Sequence, residues 1–568
     1  MKQKKIKPVT VEKIIAIYTS RDKAISEPLI DAKKSVKRAP EFKQLMKLHT
    51  GAWKELWEQC NIFIEASTDH DEEDQLLLRL HIFHLFQTYS LNTIDVDAGI
   101  PARGWHGEAY RGHILWDELF IFPFFNTSIP ELTRSLLMYR YRRLPEARYA
   151  AKQAGYKGAM FPWQSGSNGR EESQVIHLNP ESNRWVTDNT YLQRHVNSAI
   201  AYNIWMYFET TGDLEFLSFY GAELLFDIAK FWASKVEYNE KRRKYEINKV
   251  VGPDEYHTSY PESEEPGLKN NAYTNVMAVW TLMHALKAIE KLDKRRVSEL
   301  MERLAVDQEE INRWDRISRN MYIPFINDGK IIEQFEGFDK LKELDWEKYH
   351  KRYGQMLRLD RILEKEGDAV DNYKAVKQAD VLMLFYLFSA EELSKLFNRL
   401  GYHFDSKEQI PLNISYYEKI TAHGSTLSKL VYSWVFARSR REQSWHNFKR
   451  TLVSDFKDVQ GGTTPEGIHL GAMAGTVDLI QRCYTGMEFR EEGLWFNPQL
   501  PENVKRIKFR VRYREHWLEV EVLKNNLYLK SHGGWEDDIK IIVNGEEFQM
   551  KKGEERVINY KEKVLNSY

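Results

Sequence analysis

Across about four hundred central residues, apolar positions recur at helical spacing in one segment after another, and this pattern excludes most architectures. Leu282, Leu286 and Ile289 mark one such face, and Ser389 with Glu392 predicts a capping box ahead of Leu393, Leu396, Phe397 and Leu400. The helices come in pairs: Val196–Thr211 ends at Gly212, suited to the left-handed position after a helix, and a short connector leads to Ala222–Val236. Between pairs lie long polar loops at Gly104–Trp116, Pro162–Arg170, Gly252–Asn275 and Gly461–His469. Loops of such length inside a compact domain are usually functional. A toroid of helical hairpins would gather them at one end, in one cleft.

At 568 residues the chain suits either one large helical domain with a smaller companion or several ordinary domains. From Val504 the period changes to two: Ile507, Phe509, Val511 and Tyr513 alternate with Arg506, Lys508, Arg510 and Arg512, which predicts a small C-terminal antiparallel sheet with one solvated face. Val9–Thr19 reads as a lone strand, followed by helical segments over 25–64. The formal net charge of -1 provides no field for nucleic acid or an acidic membrane. Cys60 and Cys483 fit neither a disulfide framework nor a metal spacing, no apolar run reaches spanning length, and the start Met1–Lys7 lacks an apolar continuation. The expected location is the cytoplasm.

The stretch Val250–His257, with Asn270–Asn275 after it, sets Glu255 among a Gly-Pro turn, aromatic rings and amides. This is equipment for gripping a sugar and protonating its glycosidic oxygen, because burial against aromatic faces keeps a carboxyl protonated nearer neutrality. Taken alone, Gly252-Pro253-Asp254 reads equally as a surface turn. Two further segments favour the site: 107–118, which mixes charge, aromatics and glycine before an apolar run, and Thr421–Ser428, which opens a helix with a cluster of hydroxyls. The 13% aromatic content suits stacking on the C–H faces of sugars, though most of these rings must be core. His106, His113, His195, His257, His423 and His469 show no close metal-ligand spacing, so no metal is expected.

With Gly107–Asp117, Gly252–His257, Lys377–Asp380, His423–Ser428, and Glu466–His469 followed by Ala474–Thr476 in this order, the chain resembles glycoside hydrolase family 65, the maltose, trehalose, kojibiose and nigerose phosphorylases and related hydrolases. The resemblance implies an (α/α)6-barrel catalytic domain over 69–490, a helical linker over 25–68 and a C-terminal β domain over 491–568. Of the family's N-terminal β-sandwich it leaves only a residual strand in 1–24.

Carried over by resemblance, Glu255 is the general acid, while Trp116, Asp117, Lys377 and Gln378 bind the glucosyl ring. Without the family match, Lys377-Gln378-Ala379-Asp380 would read as a helix-end salt bridge. Ser425, Thr426 and His469 match the phosphate ligands; Thr426 departs from the usual Ser, and the segment also reads as an ordinary N-cap. The implied reaction is inverting phosphorolysis of an α-linked glucose disaccharide, with inorganic phosphate as co-substrate and no cofactor. Partners are then a small carbohydrate and phosphate, with a homodimer left open. The alternative is an inverting hydrolase, with Glu466 as the base that activates water. Acceptor choice rests on loop shapes, among them Phe161–Arg170 and Ser259–Lys269.

Overall fold

The computed structural model describes residues 9–560 apart from 24, 68–70, 106, 108, 262, 355, 460–463 and 535–537. His106, Glu108, the start Met1–Lys7 and the beginning of the 461–469 loop therefore lie outside the described residues.

Among the described residues, six helices form a closed inner ring. Glu118–Ser128 packs on Val196–Thr211, then come Ala272–Lys291, Asp380–Leu387, Thr426–Phe436 and Leu470–Asp478, which returns to Glu118–Ser128. These helices are buried almost all round: every residue from Ala272 to Leu282 is inside, as is every residue of Thr426–Phe436. A helix apolar on all sides must be surrounded, and the surround here is an outer layer. Asp71–Thr88, Pro130–Arg142, Ala222–Lys235, Gln308–Asn320, Ser406–Glu418 and Arg441–Leu452 pack outside the ring. Gln308–Asn320 is typical of that layer, burying only Trp314, Ile317 and Ser318. The expected (α/α)6 barrel is thus the observed one. Gly212 takes the left-handed position at φ 71°, and the Ser389–Glu392 capping box forms.

The C-terminal region carries two sheets rather than one. Five antiparallel strands run in the order Phe63–Ala66, Val504–Tyr513, His516–Leu523, Asn526–Ser531, Glu555–Asn559. A second sheet orders Glu546–Met550, Ile539–Val543, Gly493–Phe496 and Glu488–Arg490, its middle pair parallel. The period-two reading holds: Ile507, Phe509, Val511 and Tyr513 are buried toward the barrel helices. On the other face Arg506 pairs with Glu521 at 2.8 Å, and Lys508 with Glu519.

Two expectations at the start of the chain are corrected. Val9–Thr19 joins no sheet, and Val9, Val11, Ile15 and Ile17 are exposed; without a ladder partner a β-prone sequence gains nothing from strand geometry. The helical reading stops at Cys60, because Phe63–Ala66 becomes an edge strand paired with Val504–Tyr513. No helix among the described residues is long and apolar enough to cross a membrane.

Candidate active site

At one end of the ring a cavity of about 860 Å³ opens, and all eight residues singled out in the sequence line it: Trp116, Asp117, Glu255, Lys377, Gln378, Ser425, Thr426 and His469. Each comes from a loop that ends at or beside an inner helix. Four of these loops hold a non-glycine residue in the left-handed region: Tyr110 at φ 56°, Glu255 at 63°, His423 at 54° and Asp455 at 64°. Such conformations cost about 1–3 kcal/mol each and persist where the surroundings over-determine them.

Glu255 is held from both sides. Gln193 Nε2 donates to Oε1 at 3.2 Å and Lys377 Nζ donates to Oε2 at 2.5 Å. Where aromatic faces were expected around this carboxyl, the structure puts two hydrogen-bond donors. Gln193 in turn accepts from Nε2 of His195 at 3.0 Å. Burial pushes His195 down to about 3, so its ring is neutral and carries its proton on the nitrogen facing Gln193. For Lys377, burial acts against the cation, but the Glu255 charge outweighs it and the ammonium is held above its ordinary range.

Asp254 and His257, which sequence reasoning left without a role, brace the Glu255 loop. Asp254 Oδ1 accepts from the backbone N–H of Lys377 at 2.6 Å, and Oδ2 accepts from His257 Nδ1 at 2.9 Å. The other ring nitrogen of His257 donates to the Tyr373 carbonyl at 2.9 Å. Both nitrogens face acceptors, so the ring is an imidazolium; burial alone would lower its pKa, but the Asp254 carboxylate raises it above the ordinary value. Gln378 Nε2 donates to the Pro253 carbonyl at 2.7 Å, which spends its amide partly on the same brace. Beneath this turn a Cβ on Gly252 would lie 1.9 Å from Asp380 Oδ2 and 2.4 Å from Asn271 Nδ2, so only glycine fits.

Trp116 is buried against His195 and Trp163, with ring centroids 5.1 and 6.2 Å away. Next to it Asp117 caps no backbone group with its side chain, and burial pushes its carboxyl up to about 6. It lines the cavity.

On another wall, Ser425 is the N-cap of Thr426–Phe436, its Oγ accepting from the Leu427 N–H at 3.2 Å. The N-cap reading is thus correct, and it leaves the hydroxyl proton free to be donated. Thr426 beside it lines the cavity at the positive end of the helix dipole. His469 Nδ1 donates to Asp455 Oδ1 at 2.8 Å, and the His469 backbone N–H donates to Asp455 Oδ2 at 2.7 Å. Burial would raise the Asp455 carboxyl, but His469 holds it below the usual carboxylate range. That leaves Nε2 as the ring nitrogen available to a ligand. Glu466 also lines the cavity, 3.5 Å from Arg103.

The Phe161–Arg170 loop contributes Trp163 to the cavity, whereas no described residue of 259–269 reaches it. Gln174 and the segment around Leu357, Arg358 and Arg361 take that place.

The family model for the glycosyl hydrolase family 65 central catalytic domain matches residues 79–478. The chain belongs to glycosyl hydrolase family 65. The family's C-terminal domain matches 487–550, and its N-terminal domain matches 1–56. The expected loss of most of that N-terminal domain is therefore not supported: the match runs through the helix Pro28–Arg38 and into Phe42–Cys60. An uncharacterized glycosyl hydrolase of Mycobacterium tuberculosis is 48% identical over 545 residues, covering 96% of this chain and 40% of the relative. The trehalose 6-phosphate phosphorylase of Lactococcus lactis is 36% identical over 518 residues, covering 91% of this chain and 64% of the relative. This family 65 chain thus spans less than two thirds of the length of either. Among solved structures, a putative kojibiose phosphorylase from the human microbiome superposes with a TM-score of 0.77 at 24% identity, over 94% of this chain and 67% of that one, which establishes the shared fold.

Proposed function

We propose that this chain catalyses inverting phosphorolysis of an α-linked glucoside by inorganic phosphate, yielding β-glucose 1-phosphate and a free sugar. The observation that carries the proposal is the anion pocket in the same cavity as Glu255: two hydroxyls at a helix N-terminus, and a histidine whose Nδ1 is committed to Asp455. With Nδ1 turned to the Asp455 carboxylate, Nε2 is the ring nitrogen left to hydrogen-bond the phosphate. Phosphate is already an anion at neutral pH and needs no base. One of its oxygens attacks the anomeric carbon as the C1–O bond breaks, and the Glu255 proton passes to the leaving oxygen. Lys377 then stabilises the carboxylate left behind.

A hydrolase would instead need a carboxylate base. Glu466 is the cavity residue available for that task, but its carboxylate is already engaged by Arg103 at 3.5 Å. The phosphorylase named among the relatives supports the same reading. The test is a panel of α-linked glucose disaccharides incubated with and without phosphate and scored for β-glucose 1-phosphate. Phosphate-dependent turnover is expected, and equal glucose release in phosphate-free buffer favours the hydrolase.

A further inference from the structure

The loop that carries the phosphate-binding hydroxyls has two faces. Gly424, Ser425 and Thr426 line the catalytic cavity, whereas His423, the residue just before them, lines a second cavity of about 350 Å³. This outer cavity lies between the inner helix Thr426–Phe436 and the outer helix Arg441–Leu452 packed on it, and its volume is within the range of small-ligand pockets. His423 is held in the left-handed region at φ 54°, and its Nδ1 pairs with Ser428 Oγ at 2.9 Å. Its ring meets Tyr432 edge-on with centroids 4.8 Å apart, and the Tyr432 hydroxyl pairs with Thr421 Oγ1 at 2.7 Å. Burial, helped by the Lys429 and Arg450 charges, pushes His423 down to about 4. The ring is therefore neutral, and with Nδ1 engaged its Nε2 is left to a ligand.

The lining of this outer cavity selects a class of ligand. Glu442, Gln443, His446 and Asn447 all face it from one side of Arg441–Leu452, as their spacing on a helix requires. Among the described residues, the side chains of Gln443, His446 and Asn447 make no hydrogen bond within the protein, so their donors and acceptors are open to a guest. Tyr432 and Phe436 supply an apolar wall, and Glu418, held by Arg440 at 2.5 Å, adds a second carboxylate. Two carboxylates with no lysine or arginine in the lining disfavour an anion. The histidines and carboxylates do not converge on a metal position among the described residues. A lipid or other apolar guest would strip water from the amides and carboxylates without replacing its hydrogen bonds. Hydrogen-bonding groups of both kinds beside aromatic rings suit an uncharged polyhydroxylated molecule, whose hydroxyls donate and accept and whose C–H faces pack on rings.

We propose that the outer cavity is a second binding site, for an uncharged monosaccharide, and that the bound sugar acts through His423 on the loop that presents Ser425 and Thr426. A hydroxyl bonded to His423 Nε2 favours the left-handed conformer in which the loop is held, and that conformer costs about 1–3 kcal/mol without support. Sugar outside and phosphate inside then bind cooperatively, each raising the affinity of the other by the same factor. The coupling to phosphate rests on the phosphorolysis reading above; the outer site does not.

The test titrates D-glucose calorimetrically into the wild type, His446→Ala and Asn447→Leu, with and without inorganic phosphate. His446 is exposed, so its replacement leaves the core intact and serves if Asn447→Leu does not fold. Each variant should bind one glucose fewer per chain than the wild type, with the KM for the glucoside unchanged. Phosphate should tighten the glucose that the variants lose by about 5-fold, the low end of couplings between sites. In turnover at saturating glucoside, added glucose should lower the KM for phosphate in the wild type and not in the variants. Equal glucose stoichiometry in the wild type and both variants overturns the outer site, and so does a wild type that binds no glucose. An outer glucose that phosphate leaves unchanged overturns the coupling. An outer glucose bound by a chain without phosphate-dependent turnover upholds the site, and it is then the phosphorolysis reading that fails.

Discussion

Lys377 Nζ lies 2.5 Å from Glu255 Oε2, so a residue assigned to sugar binding is also the charge partner of the candidate acid. The contact bridges two loops that the Asp254 carboxylate already clamps together through the Lys377 backbone N–H. An ammonium in this place stabilises the carboxylate that proton transfer produces and fixes which way it points.

Glu255→Gln keeps the size and hydrogen bonding of the side chain but cannot deliver a proton. The maximal rate should fall by about 10²–10⁴-fold, the range for a lost general acid, with substrate affinity little changed. Glucosyl fluoride with phosphate should be spared, since its leaving group needs less protonation. An equal loss on that donor would show that Glu255 is not the acid. Lys377→Gln should cost about 10–10²-fold in kcat/KM, the value of a hydrogen bond to a charged group.

Asp455 acts through His469. Asp455→Asn replaces the carboxylate that fixes the Nδ1 proton, so the KM for phosphate should rise by about 10–10²-fold with the KM for the glucoside nearly constant. His469→Ala should show the same asymmetry more strongly, because it removes a donor to the nucleophile itself. If both variants raise the two KM values alike, the dyad is structural. Thr426→Ser keeps the hydroxyl and should be mild.

Gly252→Ala tests the backbone that carries the acid. The added methyl meets Asp380 Oδ2 and Asn271 Nδ2, both buried and hydrogen-bonded to one another at 2.7 Å, so neither can step aside cheaply. Stability should fall by about 1–3 kcal/mol, as for overpacking elsewhere in a core, and the Glu255 loop should shift with it. A urea midpoint and activity both equal to wild type would show that the turn relaxes freely.

The parts of this molecule that were legible in the sequence are those written in local periodicity. The inner helices, the left-handed Gly212, the Ser389 cap and the alternation around Ile507 all follow from neighbours a few residues apart. Glu255 stood out because its loop is chemically unusual along the chain. Asp455 did not: fourteen residues from His469, in a plain helix-end turn, it carries no pattern that marks it as a partner. Gln193 and the Asp254–His257 brace escaped for the same reason, since they act on Glu255, Lys377 and Tyr373, far away in the chain. The misread strand at Val9–Thr19 is the converse case, a local β preference with no partner to satisfy it.

Asp117 couples stability to function. Its carboxyl moves from 3.8 to about 6, chiefly through burial. Ionising it in the fold therefore costs about 3 kcal/mol more than in the unfolded chain. Because the folded value is the raised one, the penalty is absent below pH 4, where both states are protonated. It grows as the pH rises from about 4 to 6, while the unfolded chain has released its proton and the fold has not, and it is constant above. Asp117→Asn cannot ionise, so its unfolding midpoint should match wild type near pH 4 and exceed it near pH 7, with the gain appearing between those values. Activity should move the opposite way. The wild-type kcat/KM should rise through pH 6 as the carboxylate forms and accepts from the glucosyl hydroxyls, and Asp117→Asn should be nearly inactive throughout. Denaturation at several pH values alongside a pH–rate profile checks both halves. A variant whose margin over wild type is no larger at pH 7 than at pH 4 would show that Asp117 ionises without strain and that the site carries no such cost.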